Sequence, residues 1–163
     1  MDRKYKVPHR RRREKKTDYK LRLSLLKSGK YRLVVRKSNK YILGQIVKYD
    51  KSGDKTIVSV NSKMLKELGW KNNFKNIPAA YLTGLMLGKR AKEKNINDAV
   101  LDMGLLTSTK GNKIYSLLKG VIDSGVNINH SKDVMPSKER IEGRHISEKI
   151  VQDFENIKKK IMA

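Results

Sequence analysis

The chain has 163 residues, of which 39 are lysine or arginine and 16 are aspartate or glutamate, so its formal net charge is +23. This length accommodates one ordinary domain with tails and is too short for two full-sized domains. So large an excess of positive charge favours a polyanionic partner, most simply a nucleic acid. The absence of cysteine excludes disulfides and is compatible with a reducing compartment.

No segment of the sequence is suited to a membrane. The longest apolar run, residues 77–88, is well short of the roughly 20 residues that a transmembrane helix needs, and it leads directly into two basic residues. The first residues are charged and lack the apolar region of a secretory signal. We therefore expect neither a membrane partner nor a cleaved leader.

Residues 1–20 form an arm dominated by lysine and arginine, which cannot bury enough apolar surface to fold alone. Tyr5, His9 and Tyr19 are interleaved with these cations. Arginine and lysine neutralise phosphates, and tyrosine and histidine stack on unpaired bases, so the arm has the chemistry of an RNA-binding segment. A solvated or targeting tail explains the arm alone equally well.

A helix and three strands are predicted after the arm. Apolar residues from Tyr19 to Leu26 indicate an amphipathic helix that ends at Gly29. The strands span residues 30–37, 40–49 and 55–60, and they are rich in valine, isoleucine and tyrosine. Because the links between them are short, we expect an antiparallel meander.

The first strand is predicted to have two unlike faces. Tyr31, Leu33 and Val35 alternate with Arg32, Val34 and Arg36. One face can therefore enter a core while the other offers guanidinium groups. The charge of the arm continues along this hairpin at Lys27, Lys30, Arg32, Arg36, Lys37 and Lys40. This continuity implies that one polyanion binds along both the arm and the hairpin, and it favours RNA binding over a generic basic tail.

The second half of the chain alternates helices with a strand. Helices are predicted at residues 62–68, capped by Ser62 and ended by Gly69, at 78–94 and at 113–123, with a short buried strand at 98–101. The GxxxG spacing of Gly84 and Gly88 is expected to pack one helix inside a soluble core. A meander followed by helix, strand and helix predicts an α/β fold of the α+β type, with helices covering a mixed sheet.

The last segment is predicted to end in a helix capped by Ser147, with five apolar residues at helical spacing. They are Ile150, Val151, Phe154, Ile157 and Ile161. The predicted organisation is thus a basic arm at residues 1–20, an α/β body at 21–126 and a C-terminal extension at 127–163.

The sequence contains no pattern typical of catalysis or metal binding. The three histidines are scattered and lack the spacing of a zinc site. Asp98 and Asp102 are interpreted as caps of a strand, because no third acidic residue makes them a nuclease pair. The loop at 104–111 is interpreted as a plain connection, with phosphate binding at the following helix as the less favoured alternative. We predict no enzyme, cofactor or metal site.

Six blocks of sequence resemble a known family. They are Arg32–Lys40, Asn76–Leu85, Gly88–Ala91, Ala99–Leu105, Leu118–Gly125 and Gly143–Ile146. In this order, and with the highly specific NxPAAYLTG motif in the second block, they resemble the universal 5S-rRNA-binding family of the large ribosomal subunit, number eighteen in the common nomenclature, in its archaeal form. The resemblance extends from about residue 7 to about residue 150.

The resemblance implies a non-catalytic protein of the cytoplasmic ribosome that attaches 5S rRNA to the 23S rRNA in the central protuberance, beside neighbouring large-subunit proteins and without self-association. It transfers RNA contacts to the arm and to the hairpin. With Lys15, Lys16 and Lys37 added from the charge pattern, the candidate RNA-binding residues are Arg3, Lys4, Tyr5, Lys6, Arg10, Arg11, Arg12, Arg13, Lys15, Lys16, Arg32, Arg36, Lys37, Ser38, Asn39 and Lys40.

Two alternatives stay open. The first is a non-ribosomal protein that binds structured RNA or DNA, although a DNA binder would need a basic, groove-entering helix with no duties in the core, which we do not find. The second is an rRNA-modifying enzyme, which would need a cofactor site such as a glycine-rich turn after a parallel strand, and the sequence contains no such turn.

Overall fold

A computed structural model describes residues 6–162 of the protein. Its α-helices are α1 (Arg10–Arg13), α2 (Tyr19–Leu26), α3 (Ile77–Glu93), α4 (Lys113–Asp123), α5 (Lys138–Glu142) and α6 (Glu148–Met162). Its strands are β1 (Tyr31–Lys37), β2 (Ile42–Lys48), β3 (Lys55–Asn61), β4 (Asp98–Asp102) and β5 (Asn127–Ile128). Two 3-10 helices lie at Ser62–Lys66 and Lys132–Val134.

The strands form one mixed sheet in the order β3-β2-β1-β4-β5. The predicted meander is confirmed, since β1 pairs with β2 and β2 with β3 in antiparallel orientation. The chain then crosses through α3 and returns as β4, which pairs with β1 in parallel. This confirms the mixed α/β fold class. β5, the first element of the segment predicted as an extension, pairs in parallel with β4.

Helices α3 and α4 cover one face of the sheet. Leu33 and Val35 of β1 lie opposite Ile46 and Gly44 of β2, and all four positions point to these helices. The outer side of α3 is covered by α5 and α6, so α3 is buried from Ile77 to Gly88. Within residues 6–162, none of the helices is both long and apolar enough to cross a membrane.

The predicted packing role of the GxxxG glycines is confirmed. A Cβ atom added to Gly84 would lie 2.0 Å from the carbonyl oxygen of Leu117 in α4, and one added to Gly88 would lie 1.7 Å from Oγ of Ser124. Gly120 of α4 lies equally close to α3, because a Cβ added there would lie 2.2 Å from the carbonyl oxygen of Tyr81. At Gly84 and Gly120 the two helix backbones therefore touch, which only glycine permits, whereas Gly88 leaves room for the Ser124 side chain.

Helix α6 brings the predicted C-terminal residues into the same core. Ile150, Phe154, Ile157 and Ile161 are buried in one cluster with the residues of α3 and α4, whereas Val151 is half-buried. The predicted cap is present, because Oγ of Ser147 accepts a hydrogen bond from the backbone N–H of Ile150 at 3.4 Å.

The cap of the first 3-10 helix differs from the prediction. Asn61, not Ser62, is its N-cap, and the Asn61 side chain accepts from the backbone N–H of Lys63. Ser62 is instead fully buried, and its hydroxyl accepts from the backbone N–H of Ile42 at 3.0 Å, where it joins the helix to β2. Gly69 has a φ of +101°, as expected of the residue that ends this turn.

Helix α2 forms as predicted, but it is not amphipathic in the expected sense. None of its residues is buried, and Tyr19, Leu21 and Leu23 are 40, 41 and 57% exposed. Its order comes from capping, since the carboxylate of Asp18 accepts from the backbone N–H of Leu21 at 3.0 Å. The helix lies against the rim of the sheet face opposite α3 and packs only lightly on it.

Candidate nucleic-acid interface

The end of β1 separates two surfaces. Side chains alternate along a strand, so Arg32 and Arg36 point to the face beside α2, and Lys37 points to the face covered by α3 and α4. Arg36 borders a cavity together with Arg11 of the arm, and Lys37 borders a groove together with Lys113 at the start of α4. The consecutive residues Arg36 and Lys37 thus lie on opposite faces of the sheet.

Arg32 does not offer a free guanidinium group, and this expectation is wrong. The residue is only 4% exposed. Its Nη1 donates to Oδ2 of Asp102 at 2.8 Å, and its Nη2 donates to the carboxylate of Asp54. A guanidinium removed from water requires such partners, and the parallel pairing of β4 with β1 supplies Asp102. Arg32 therefore joins β1 to its neighbours as a buried ion pair.

Arg36 is both exposed and held in position. Its side chain is 45% exposed, and its Nη2 forms an ion pair with Oδ1 of Asp102 at 3.5 Å. Its Nη1 donates to the carbonyl oxygens of Val35 at 2.8 Å and of Asp102 at 3.2 Å. The guanidinium lies over Gly104, where the φ is +61° and an added Cβ would approach it to 3.2 Å. A fixed, half-exposed cation of this kind suits a phosphate, because little conformational entropy is lost on binding.

The two aspartates of β4 act as the strand-capping interpretation predicts. Asp102 accepts from the backbone N–H of Gly104 at 2.9 Å, in addition to its contact with Arg32. Asp98 accepts from the side-chain amide of Asn127 at 2.9 Å and so joins β4 to β5. Within residues 6–162, no three histidine, cysteine or acidic side chains cluster in a way that could hold a metal ion.

The arm presents a dense set of cations. Helix α1 consists of four arginines and buries none of them. Glu14 pairs with Arg10 and Lys16, at 2.7 Å each, and hydrogen bonds from Lys16 first and Arg10 second lower the pKa of this carboxyl. Among the described residues, Arg12, Arg13, Lys15 and Lys6 have no ion pair. The remaining arm candidates, Arg3, Lys4 and Tyr5, lie outside the described residues.

A cavity of about 320 Å³ lies between the arm and the body. Arg11 and Lys16 border it on the arm side, and Arg36 borders it on the sheet side. Nη2 of Arg22 in α2 donates at 2.8 Å to Asp54, the same carboxylate that binds Arg32. Asp54 therefore links α2 to the sheet and places the arm cations beside Arg36.

The tip of the β1–β2 hairpin is shaped by Ser38. Its Oγ accepts from the backbone N–H of Tyr41 at 2.9 Å and donates to the carbonyl oxygen of the same residue at 3.1 Å. The hydroxyl is therefore engaged in the turn. Lys37, Asn39 and Lys40 are exposed at this tip, and their side chains make no hydrogen bond within the described residues.

Three further cations lie near Lys37 and were not predicted from the sequence. Lys75 precedes α3, Lys113 begins α4 and Arg140 lies in α5, and all three border one groove with Lys37. They are scattered along the chain and none belongs to a basic run, so no local pattern indicates their proximity. Only the folded topology brings them together.

Comparison with known proteins gives concordant matches. The family model described as "Ribosomal large subunit proteins 60S L5, and 50S L18" matches residues 3–100 and 91–131. The chain is 49% identical over 143 residues to Large ribosomal subunit protein uL18 of Korarchaeum cryptofilum, which covers 88% of this chain and 73% of that protein. It is 51% identical over 144 residues to Large ribosomal subunit protein uL18 of Haloarcula marismortui, with 88% and 77% covered.

Proposed function

Because this chain belongs to the family of large-subunit ribosomal proteins 60S L5 and 50S L18, in the archaeal type, we propose that it binds 5S rRNA and attaches it to the large-subunit rRNA in the central protuberance. Family membership itself makes the chain a structural component of the large subunit, with rRNA and other ribosomal proteins as partners and translation as its process.

The observation that supports 5S rRNA binding most directly is the placement of the arm cations beside Arg36. Arg11 of α1 borders the same cavity as Arg36, all four arginines of α1 are exposed, and Glu14 neutralises part of their charge. The backbone of a folded RNA supplies the missing negative charge, and its phosphates release counterions when these cations bind. The arm and the sheet edge then form one cationic surface.

A structural rather than catalytic role fits the ion pairs beside β1. The carboxylates of Asp102 and Asp54 both pair with the guanidinium group of Arg32, and Asp54 also pairs with Arg22. Ion pairs of this kind hold a site in one conformation. We infer that the body of the protein is a rigid platform on which RNA is positioned, and that it carries no reaction of its own.

A variant that removes the charge of α1, called the arm variant, tests this function. Replacing Arg10, Arg11, Arg12 and Arg13 together with glutamine is expected to weaken 5S rRNA binding at least about tenfold at physiological salt, and to reduce the slope of log affinity against log salt by about 0.7 to 0.9 for each phosphate that is no longer neutralised. Thermal unfolding should change little, because α1 buries no residue. Filter binding at several salt concentrations and calorimetry measure the two effects.

The matched control replaces four exposed lysines elsewhere, Lys51, Lys71, Lys149 and Lys159, also with glutamine. This variant has the same net charge as the arm variant and should retain more affinity. A structured RNA of equal length and a DNA duplex serve as ligand controls. Equal affinity of the wild-type protein for 5S rRNA and for these ligands would contradict the assignment to 5S rRNA.

Arg36 provides a single-residue prediction. Arg36→Ala removes a cation at a positioned, half-exposed site, so 5S rRNA affinity should fall about tenfold, in line with the removal of one charge-assisted hydrogen bond of about 1.4 kcal/mol. The free energy of unfolding should change by less than about 1 kcal/mol, as for other partly exposed ion pairs. Unchanged affinity together with an unchanged salt dependence would remove this sheet edge from the interface.

A further inference from the structure

A second cationic surface lies on the face of the sheet that α3 and α4 cover. Four elements bring one cation each to a single groove of about 560 Å³: Lys37 at the end of β1, Lys75 before α3, Lys113 at the start of α4 and Arg140 in α5. The rest of the lining consists of polar, apolar and glycine residues, without a carboxylate. The groove is therefore uniformly positive.

The cations of this groove lack counter-charges within the described part of the chain. None of the four takes part in an ion pair there, in contrast to Arg32 on the opposite face, which is paired with Asp54 and Asp102. Burial, and then the charges of Lys75 and Lys37, lower the pKa of Lys113. Lys75 and Lys37 thus lie close enough to Lys113 in the groove to repel its charge, and a bound anion would relieve this repulsion.

The helices add to the positive potential but do not form the site. Both α3 and α4 begin at the groove, so the positive ends of two helix dipoles point toward it. Asn112 already accepts hydrogen bonds from the backbone N–H groups of Ile114 and Tyr115, at 2.8 and 3.1 Å. Because the cap occupies these amides, the lysine and arginine side chains are the groups left to bind an anion.

We propose that the groove bordered by Lys37, Lys75, Lys113 and Arg140 binds backbone phosphates of RNA, on the face of the sheet opposite the arm and Arg36. The inference rests on the proposed function, since it takes the ligand to be rRNA. Arg36 and Lys37 point to opposite faces, so the hairpin tip lies between two RNA-binding surfaces. A protein that joins one RNA to another requires two such surfaces.

The test is a triple variant of the full chain, Lys75→Gln, Lys113→Gln and Arg140→Gln, with Lys37 left in place. Its control is Lys51→Gln, Lys149→Gln and Lys159→Gln, three exposed lysines that do not border the groove. Affinities for 5S rRNA and for a large-subunit rRNA fragment are measured at several salt concentrations. We expect the affinity of the groove variant for one of these RNAs to fall at least about tenfold, with a salt slope reduced by about 0.7 to 0.9 for each phosphate released from the groove.

Combination with the glutamine variant of α1 tests whether the surfaces are separate. If they are, the two reductions in affinity multiply for a ligand that touches both surfaces, because distant sites act additively in free energy. Thermal unfolding shows whether each variant is folded. If the triple variant is destabilised, RNA affinity is measured instead with the single variants Lys75→Gln and Arg140→Gln, which change a half-buried and an exposed residue.

Two results would overturn the proposal. One is a groove variant that matches its control with both RNAs. The other is binding of inorganic phosphate at the groove, seen as amide shifts at Lys113 and Ile114, without any reduction of RNA affinity in the variant; that result would assign the site to a free anion. If wild-type protein does not prefer 5S rRNA over an unrelated RNA, the proposed function fails, whereas a groove-dependent reduction with the large-subunit fragment still supports this site.

Discussion

Replacing Gly84 with alanine is expected to destabilise the protein by about 3 kcal/mol or more, although the same change in an ordinary helix interior stabilises by about 1 kcal/mol. The added Cβ would lie 2.0 Å from the carbonyl oxygen of Leu117 and 3.0 Å from its Cα. These are backbone atoms of α4, which cannot rotate away. The two helices must therefore separate, and the buried cluster between them loses its packing.

Gly44→Ala is the matched control, because the same methyl group is added to another glycine that faces Leu117 in the same core. There the new Cβ would lie 2.9 Å from a methyl of Leu87 and 3.3 Å from a methyl of Leu117. Side-chain ends can shift, so we expect a destabilisation of about 1 to 2 kcal/mol. Urea unfolding measures both variants. If Gly84→Ala were as stable as the wild-type protein, the close approach of α3 and α4 would be refuted.

The sequence was sufficient where the structure is set by local periodicity. The strands at Tyr31–Lys37 and Lys55–Asn61 and the helix at Lys113–Asp123 agree with the predicted ranges to within a residue. Alternation of side chains fixes the faces of a strand, and 3.6-residue spacing fixes the buried stripe of a helix. The GxxxG spacing of Gly84 and Gly88 also predicted helix packing, because the apolar run that contains it is too short to cross a membrane.

Periodicity failed where partners come from distant parts of the chain. Alternation placed Arg32 and Arg36 on one face. It could not show that Arg32 is paired with Asp54 and Asp102, which lie 22 and 70 positions away in the sequence. The groove cations Lys75, Lys113 and Arg140 were missed for the same reason, because each alone looks like an ordinary solvated charge.

The helix α2 illustrates a different limit. Apolar side chains at helical spacing predicted a buried stripe, yet Leu23 is 57% exposed, because the sheet face beside α2 is occupied by the ion pairs of Arg32 and Arg36. A charged face gives an apolar stripe nothing to pack against. Sequence pattern specifies what a helix can bury, whereas the neighbouring element decides what it does bury.

Removing the negative charge of Asp102 should destabilise the body by about 3 kcal/mol, because the buried Arg32 would then share its one remaining carboxylate, that of Asp54, with Arg22. Asp102→Asn is the appropriate change, since the amide oxygen can still accept from the backbone N–H of Gly104. Asp98→Asn, at the exposed end of the same strand, is the control and should change stability by less than about 1 kcal/mol.

A double-mutant cycle with Arg32→Met separates the ion pair from other effects of the aspartate. If Asp102 acts mainly by neutralising Arg32, the destabilisation of the double variant should be smaller than the sum of the two single effects by at least about 1 kcal/mol, since methionine leaves no buried charge behind. Asp54 would then pair with Arg22 alone. Urea unfolding of the four proteins measures this coupling. Strictly additive effects would show that Arg32 and Asp102 are not coupled, and would contradict a stabilising ion pair between them.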